Sequence, residues 1–146
     1  MTFLVERLSE IRKYLDHLRR IGDRVEGPES LESDLSLHND VLFSLMMLAQ
    51  LVIDIAGEIG AREALRFDDY TGAVRNLVRV DEFPQPLVDD LARLPGFRNV
   101  LLHEYVELDY ALAVKALAEL ESVDAFVEAV RRYVKRTETG GESARD

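Results

Sequence analysis

Hydrophobic residues recur along this chain at intervals of three, four or seven, the spacing of one face of an α-helix. The first such stripe occupies about residues 3–25 and consists of Leu4, Leu8, Ile11, Leu15, Leu18 and Val25. The segment Glu26–Ser30 contains a glycine and a proline and ends the pattern, because both residues interrupt helices. The pattern predicts a long N-terminal helix followed by a sharp turn.

A second, longer helical pattern extends from about residue 31 or 33 to Gly60. Its apolar positions form a broad face, as in the central helix of a bundle: Leu35, Val41, Leu42, Leu45, Leu48, Val52 and Ile59. Polar residues interrupt its most apolar part, at Ser44, Gln50, Asp54 and Glu58. A membrane span needs about 20 mostly apolar residues. We therefore expect a soluble protein with no membrane partner.

The second half of the chain predicts shorter helices, near residues 72–80, 87–105, 109–120 and 123–136. Pro95 and Gly96 lie within the second of these, where an interior proline removes a backbone hydrogen bond. We predict a break or sharp kink there, with the helix restarting near Gly96 and Arg98 in its first turn. Asp109 is suited to cap the helix that follows it.

No segment shows the alternation of a β-strand. The fold prediction is all-α, a four- to five-helix up-and-down bundle. One domain is expected over residues 1–137, followed by a polar C-terminal tail over residues 138–146.

Composition narrows the functional classes. The 146 residues include 18 basic and 28 acidic side chains, a net charge of −10, and no cysteine. The absence of cysteine excludes a disulfide framework and fits a cytoplasmic protein. Nucleic-acid binders are usually basic, so RNA chemistry here would need a local site. Residues 61–105 are the least acidic stretch, and their basic residues are all arginines: Arg62, Arg66, Arg75, Arg79, Arg93 and Arg98.

Candidate chemistry centres on His103. Familiar metal, phosphate-loop and nucleophile motifs are missing, and His17 and His38 are predicted to be unremarkable. His103 lies in the sequence Arg98-Asn99-Val100-Leu101-Leu102-His103-Glu104-Tyr105. On an ideal helix Asn99 shares a face with His103, whereas Arg98 and His103 point about 140° apart. A site that uses both would need a kinked turn or a second chain. The alternative is a buried polar patch in which each is paired with a carboxylate.

The stretch GFRNVLLHEY resembles the Arg-x4-His-x-Tyr signature of the HepT-like branch of HEPN-domain proteins. The segment LVIDIAGEI in the second helix is similar to that family's second-helix pattern. The resemblance covers about residues 3–135, and Pro95 departs from the family pattern. It implies a HEPN-type bundle and a metal-independent endoribonuclease that is the toxin of a type II toxin–antitoxin pair. The family resemblance further implies that the enzyme works without a cofactor, as a homodimer in which the Arg98 and His103 side chains of both chains meet in a cleft.

The residue types suit this chemistry. RNA carries its own nucleophile, the 2′-OH, so no metal-bound water is required. An imidazole such as that of His103 can transfer protons near neutral pH, and Arg98 can hold the scissile phosphate. Asn99, one turn before His103, is expected to orient the imidazole or the phosphate. Asp54 and Glu58, one turn apart in the second helix, can fix Arg98 or His103 by hydrogen bonds or else line an ordinary polar face.

The resemblance also implies regulation at Tyr105. The family's antitoxin is a minimal nucleotidyltransferase, which transfers AMP to the tyrosine of the motif. Adenylate at Tyr105 would add bulk and negative charge beside the RNA site. The alternative function is a non-catalytic helical dimer that binds a nucleotidyltransferase. The net charge of −10 favours that alternative, and the Arg98–His103 pair favours the enzyme.

Overall fold

The structure of the protein is a computed structural model that describes residues 2–103 and 108–145. Over these residues it is helical and contains no strand, so the predicted all-α class is confirmed. The helices are α1 (Thr2–Gly22), α2 (Pro28–Ser33), α3 (Leu35–Arg62), α4 (Tyr70–Arg75), α5 (Gln85–Leu91), α6 (Leu94–His103), α7 (Tyr110–Ala118) and α8 (Glu121–Arg145). A 3₁₀ turn over Asn76–Arg79 follows α4 directly.

Helix α3 is the centre of the bundle and packs against α1, α2, α4, α6 and α7. By length and composition it could cross a membrane, but 61% of its most apolar window is buried inside the protein. Burial of this apolar surface stabilises the fold by roughly 25 cal/mol per Å² removed from water. The predicted core helix is therefore present, and five of the other described helices pack against it.

Helix α8 packs on the side of the bundle formed by α1 and α5. It buries the large side chains of Phe126 and Tyr133 and contacts α1 and α5. Its backbone continues to Arg145, past residue 137. The division of the chain at residue 137 into a domain and a tail stays a prediction.

Two helix ends bear on the predictions. Asp109 caps α7 as predicted, because its Oδ1 accepts a hydrogen bond of 3.0 Å from the Ala111 N–H. The predicted break near Pro95 lies earlier than expected. The chain turns at Ala92 and Arg93, and α6 begins at Leu94, so Arg98 stands in its second turn rather than its first. Proline is tolerated at Pro95 because the first N–H groups of a helix have no intrahelical acceptor.

The end of α3 shapes the connection to α4. The Leu65 N–H donates to the Gly60 carbonyl at 2.8 Å, and the Ala64 N–H donates to the Ala61 carbonyl at 3.3 Å. These two bonds form a Schellman motif, with Ala64 in the left-handed conformation at φ 56°. Helix α3 thus ends at Arg62 instead of at the predicted Gly60, and the chain then folds back so that the Phe67 ring lies beside Gly57 and Gly60 of α3.

Candidate functional site

Arg98 is held between α3 and α4. Its side chain is half-buried, and its Nε donates a hydrogen bond of 2.6 Å to Gln50 Oε1 on α3. Its Nη1 donates to Asn99 Oδ1 at 3.1 Å. The guanidinium carbon lies 5.7 Å from the centre of the Tyr70 ring, at the start of α4, within the range of a cation–π contact. Three neighbours therefore restrain the guanidinium.

The partners of Arg98 are electrically neutral. Gln50 and Asn99 offer amide oxygens, and Tyr70 offers an aromatic face. In the part of the chain that the structure describes, no carboxylate forms an ion pair with Arg98. The predicted alternative of a carboxylate-paired arginine is thus absent among these residues. None of these described carboxylates neutralises the guanidinium, a group whose N–H donors suit anions.

Gln50 joins Arg98 to Asp54 along α3. Its Nε2 donates to Asp54 Oδ1 at 2.8 Å, while its Oε1 accepts from Arg98. A guanidinium can only donate and a carboxylate can only accept, so these two neighbours determine the orientation of the amide. Among the described residues, Asp54, a predicted supporting residue, is connected to Arg98 through this amide alone. Sequence reasoning missed Gln50, although it was visible as a polar residue in the apolar run of the second helix.

Tyr70 was also missed. It stands 28 positions before Arg98 in the chain, and no local pattern relates the two. Its side chain is 47% exposed. Asp69, the residue before it, caps α4 by accepting a hydrogen bond of 2.6 Å from the Gly72 N–H, which positions the first turn and Tyr70 with it.

His103 is the last described residue of α6, and its side chain is exposed. Among the described residues no hydrogen-bond partner of its imidazole is found. Helix α6 runs without a break from Leu94 to His103, so Arg98 and His103 project about 140° apart. Of the two arrangements that the spacing left open, a kinked turn between these residues is not observed. One chain does not aim both side chains at one atom.

The remaining predicted residues separate into different surroundings. Asn99 is exposed, next to Arg98. Glu58 lies one turn beyond Asp54, where its Oε1 accepts a hydrogen bond of 3.1 Å from Arg62 Nε. Tyr105, the predicted modification site, lies outside the described residues.

The other two histidines are more structured than their sequence surroundings indicated. His17 Nε2 lies 2.7 Å from Asp40 Oδ1 and links α1 to α3. His38 Nδ1 shares a hydrogen bond of 3.0 Å with the Tyr110 hydroxyl and links α3 to α7. Both are half-buried and serve to connect helices, and neither contacts Arg98.

A large apolar cleft lies on another side of α6. It has a volume of about 860 Å³, and its described lining includes Leu48, Phe97, Val100 and Leu112 but neither Arg98 nor His103. Helix α6 therefore presents two separate surfaces, an apolar one toward the cleft and a polar one at Arg98.

Comparison with known proteins relates this chain to one group. A family model described as "Ribonuclease HepT-like" matches residues 11–130. The chain is 24% identical over 135 residues to a protein of Shewanella oneidensis (strain ATCC 700550 / MR-1) named mRNA nuclease HepT, and the match covers 88% of this chain and 96% of that protein.

Solved structures share the fold. One is a tri-AMPylated HEPN toxin of Shewanella oneidensis in complex with its MNT antitoxin, with a TM-score of 0.79, 21% identity and coverage of 90% of this chain and 98% of that chain. Another is a toxin–antitoxin complex with AMP-PNP, with a TM-score of 0.80, 20% identity and coverage of 90% and 99%. At these identities the likeness establishes the fold, including the HEPN-type bundle that the sequence predicted.

Proposed function

Because this chain belongs to the HepT-like ribonuclease family, we propose that it is a metal-independent endoribonuclease and the toxin of a type II toxin–antitoxin pair. One observation carries the proposal. The Arg98 guanidinium is restrained by Gln50, Asn99 and Tyr70, all of them neutral groups. A restrained cation that has no carboxylate partner among the described residues suits the binding of an RNA phosphate, since arginine holds phosphate oxygens through paired N–H donors.

The proposed chemistry uses the ribose as its own nucleophile. His103 removes the proton from the 2′-OH or donates a proton to the leaving 5′ oxygen. Arg98 stabilises the negative charge that develops on the phosphate oxygens as the 2′ oxygen attacks phosphorus and the 5′ oxygen leaves. The exposure of His103 at the end of α6 leaves its imidazole accessible to RNA.

We propose further that the active unit is a homodimer. Arg98 and His103 project about 140° apart on one continuous helix. A second copy can supply the His103 that faces the first copy's Arg98. The net charge of −10 also requires the cations of the site to be concentrated in one place, and a cleft between two chains brings together two copies of Arg98.

Neutralisation is proposed to occur at Tyr105, by AMP transfer from a nucleotidyltransferase antitoxin. The similar structure of a tri-AMPylated HEPN toxin with an MNT antitoxin supports this. Tyr105 follows His103 by two residues, so an added adenylate would place a negative phosphate near the site and repel RNA. A Tyr105→Phe chain that its antitoxin fully neutralises without modifying it would contradict this assignment.

The experiment that tests the enzyme is RNA cleavage in EDTA by the purified chain, beside Arg98→Ala and His103→Ala variants. We expect cleavage by the parent chain and a loss of at least about a hundredfold in each variant. Arg131→Ala, which removes an exposed α8 arginine paired with Glu128, is the matched control and should cleave normally. Absence of cleavage by the folded, unmodified parent would favour a non-catalytic module that binds a nucleotidyltransferase, the function that the acidic charge favours.

Mixing the two inactive variants tests the dimer. A heterodimer of Arg98→Ala and His103→Ala chains holds one intact Arg98 and one intact His103 on different copies. Recovery of part of the activity on mixing is expected if a site draws on both copies. No recovery, with mixed dimers demonstrated by mass, would place each site within one copy.

A further inference from the structure

Tyr70 is an exposed aromatic side chain next to the proposed phosphate-binding arginine. Its ring centre lies 5.7 Å from the Arg98 guanidinium carbon, and 47% of its surface remains open to solvent. The contact with Arg98 uses only part of the ring surface. An aromatic group in this position offers a flat apolar surface within the reach of one nucleotide whose phosphate is bound at Arg98.

The connection that carries Tyr70 is held in place by specific contacts. Asp69 caps α4 through the Gly72 N–H at 2.6 Å, and Asn76 Nδ2 donates to the Arg66 carbonyl at 2.9 Å. Phe67 lies over α3, where a methyl group on Gly57 would meet its ring at 3.7 Å. Because these bonds restrain the backbone on both sides of Tyr70, little conformational entropy would be lost when a ligand packs on the ring.

The charges around Tyr70 favour a base over a phosphate on this surface. Asp68 and Asp69 precede it directly in the chain and are exposed, and their carboxylates disfavour a second phosphate there. The cation lies on the Arg98 side. This arrangement separates a phosphate position at Arg98 from an uncharged, aromatic position at Tyr70.

We propose that Tyr70 stacks on an unpaired nucleobase adjoining the phosphate bound at Arg98, and so selects single-stranded RNA as the substrate. This inference rests on the proposed ribonuclease function. Bases in single strands can be splayed out and stacked on aromatic side chains, whereas bases within a duplex are already stacked and paired. Stacking accepts every base, because each has a π-face. Tyr70 thereby selects unpaired segments without reading a particular sequence.

The test uses the full chain carrying His103→Ala, which prevents cleavage, and short single-stranded RNAs. The RNAs carry either a normal nucleotide or an abasic one at the positions flanking the cleavage site mapped with the parent chain. Tyr70→Ala should weaken binding of the normal RNA about tenfold or more, and Tyr70→Phe, which keeps the ring, should bind within about twofold of the parent. Phe43→Ala, which removes another exposed aromatic residue (51% exposed), is the matched control and should leave binding unchanged.

The abasic RNA separates stacking from a role in holding Arg98. If Tyr70 contacts the base, the abasic RNA should bind the His103→Ala chain as weakly as the normal RNA binds the same chain with Tyr70→Ala added. Binding of the abasic RNA to the chain with both substitutions should then be little weaker. Independent, additive losses would overturn the inference, since Tyr70 would then act only through Arg98. If the parent chain cleaves RNA but the two losses in binding are additive, the proposed function stands and this inference fails. If the parent chain neither cleaves nor binds RNA, both fail.

Discussion

At the scale of single residues, the Gln50 amide links Arg98 to the Asp54 carboxylate. Asp54 accepts from Gln50, and Gln50 in turn accepts from Arg98 Nε at 2.6 Å. A direct Asp54–Arg98 pair would neutralise the guanidinium, and the intervening Gln50 orients it while leaving the charge available. Gln50 thus holds the guanidinium in place without an ion pair between Arg98 and Asp54.

Replacement of Gln50 by leucine should impair catalysis more than folding. Gln50→Leu removes the acceptor of Arg98 Nε, so we expect RNA cleavage to fall about ten- to a hundredfold, the range produced by misplacing a catalytic group. Asp54→Asn is the matched control, because its amide oxygen can still accept from Gln50 and most activity should remain. Steady-state cleavage rates with circular dichroism melting measure both effects. Equal activity of Gln50→Leu and the parent chain would contradict the role of Gln50.

At the scale of elements, two helix ends carry a residue type that is not the most stabilising one for its position. Ala64 occupies the left-handed position of the Schellman motif after α3, at φ 56°, where glycine is the preferred residue. Gly96 lies in the first turn of α6, where an added methyl group would meet nothing within 4 Å. One position is an alanine where glycine fits better, and the other is a glycine where alanine fits better.

Placing glycine at position 64 and alanine at position 96 should stabilise the fold in each case. Ala64→Gly relieves the left-handed backbone, and Gly96→Ala lowers the entropy of the unfolded chain. Each is expected to raise the free energy of unfolding by about 0.5–1 kcal/mol, measured by urea denaturation. Gly72→Ala is the comparison, because its methyl group would lie 3.0 Å from the Asp69 Oδ1 that caps α4, and no gain is expected there. A loss of stability in Gly96→Ala would contradict the open space around the Gly96 Cα.

At the scale of the whole molecule, α8 is tied to the rest of the bundle by polar contacts at its sides. Arg19 on α1 pairs with Asp124, and Arg136 pairs with Glu82, which precedes α5. The buried Tyr133 donates a hydrogen bond of 2.9 Å to Glu63 Oε1 at the end of α3. Burial, with this bond and the Glu63 charge, raises the pKa of Tyr133 to about 12.

The raised pKa predicts a stability change at alkaline pH. The pKa of Tyr133 is about 12 in the fold, against an ordinary tyrosine value of 10.0. The contribution of its hydrogen bond to stability is therefore complete below pH 10 and is lost as the pH rises toward 12. We expect Tyr133→Phe to lower the free energy of unfolding by about 2 kcal/mol at pH 8. The difference between parent and variant should shrink between about pH 10 and 12. Denaturant titrations at several pH values measure it, and a constant difference would contradict the linkage.

The sequence by itself determined the helical class of the fold and, in Arg98 and His103, the residues at which the candidate site was sought. Hydrophobic spacing is a local property, so it predicted the all-α class, the central helix and, with Asp109, the start of α7. The Arg98–His103 spacing is likewise local, and the 140° separation follows from helix geometry alone. These inferences required nothing beyond neighbouring residues.

Only the tertiary structure decided what surrounds Arg98. Gln50 and Tyr70 stand 48 and 28 positions away in the chain, and their approach depends on how α3 ends and how α4 and α6 pack against it. The tertiary structure also decided the position of the helix break. It lies at Ala92 and Arg93, a few residues before Pro95, where the sequence predicted it. Long-range contacts depend on the packing of several helices at once, and a single sequence without that packing carries no local signal of them.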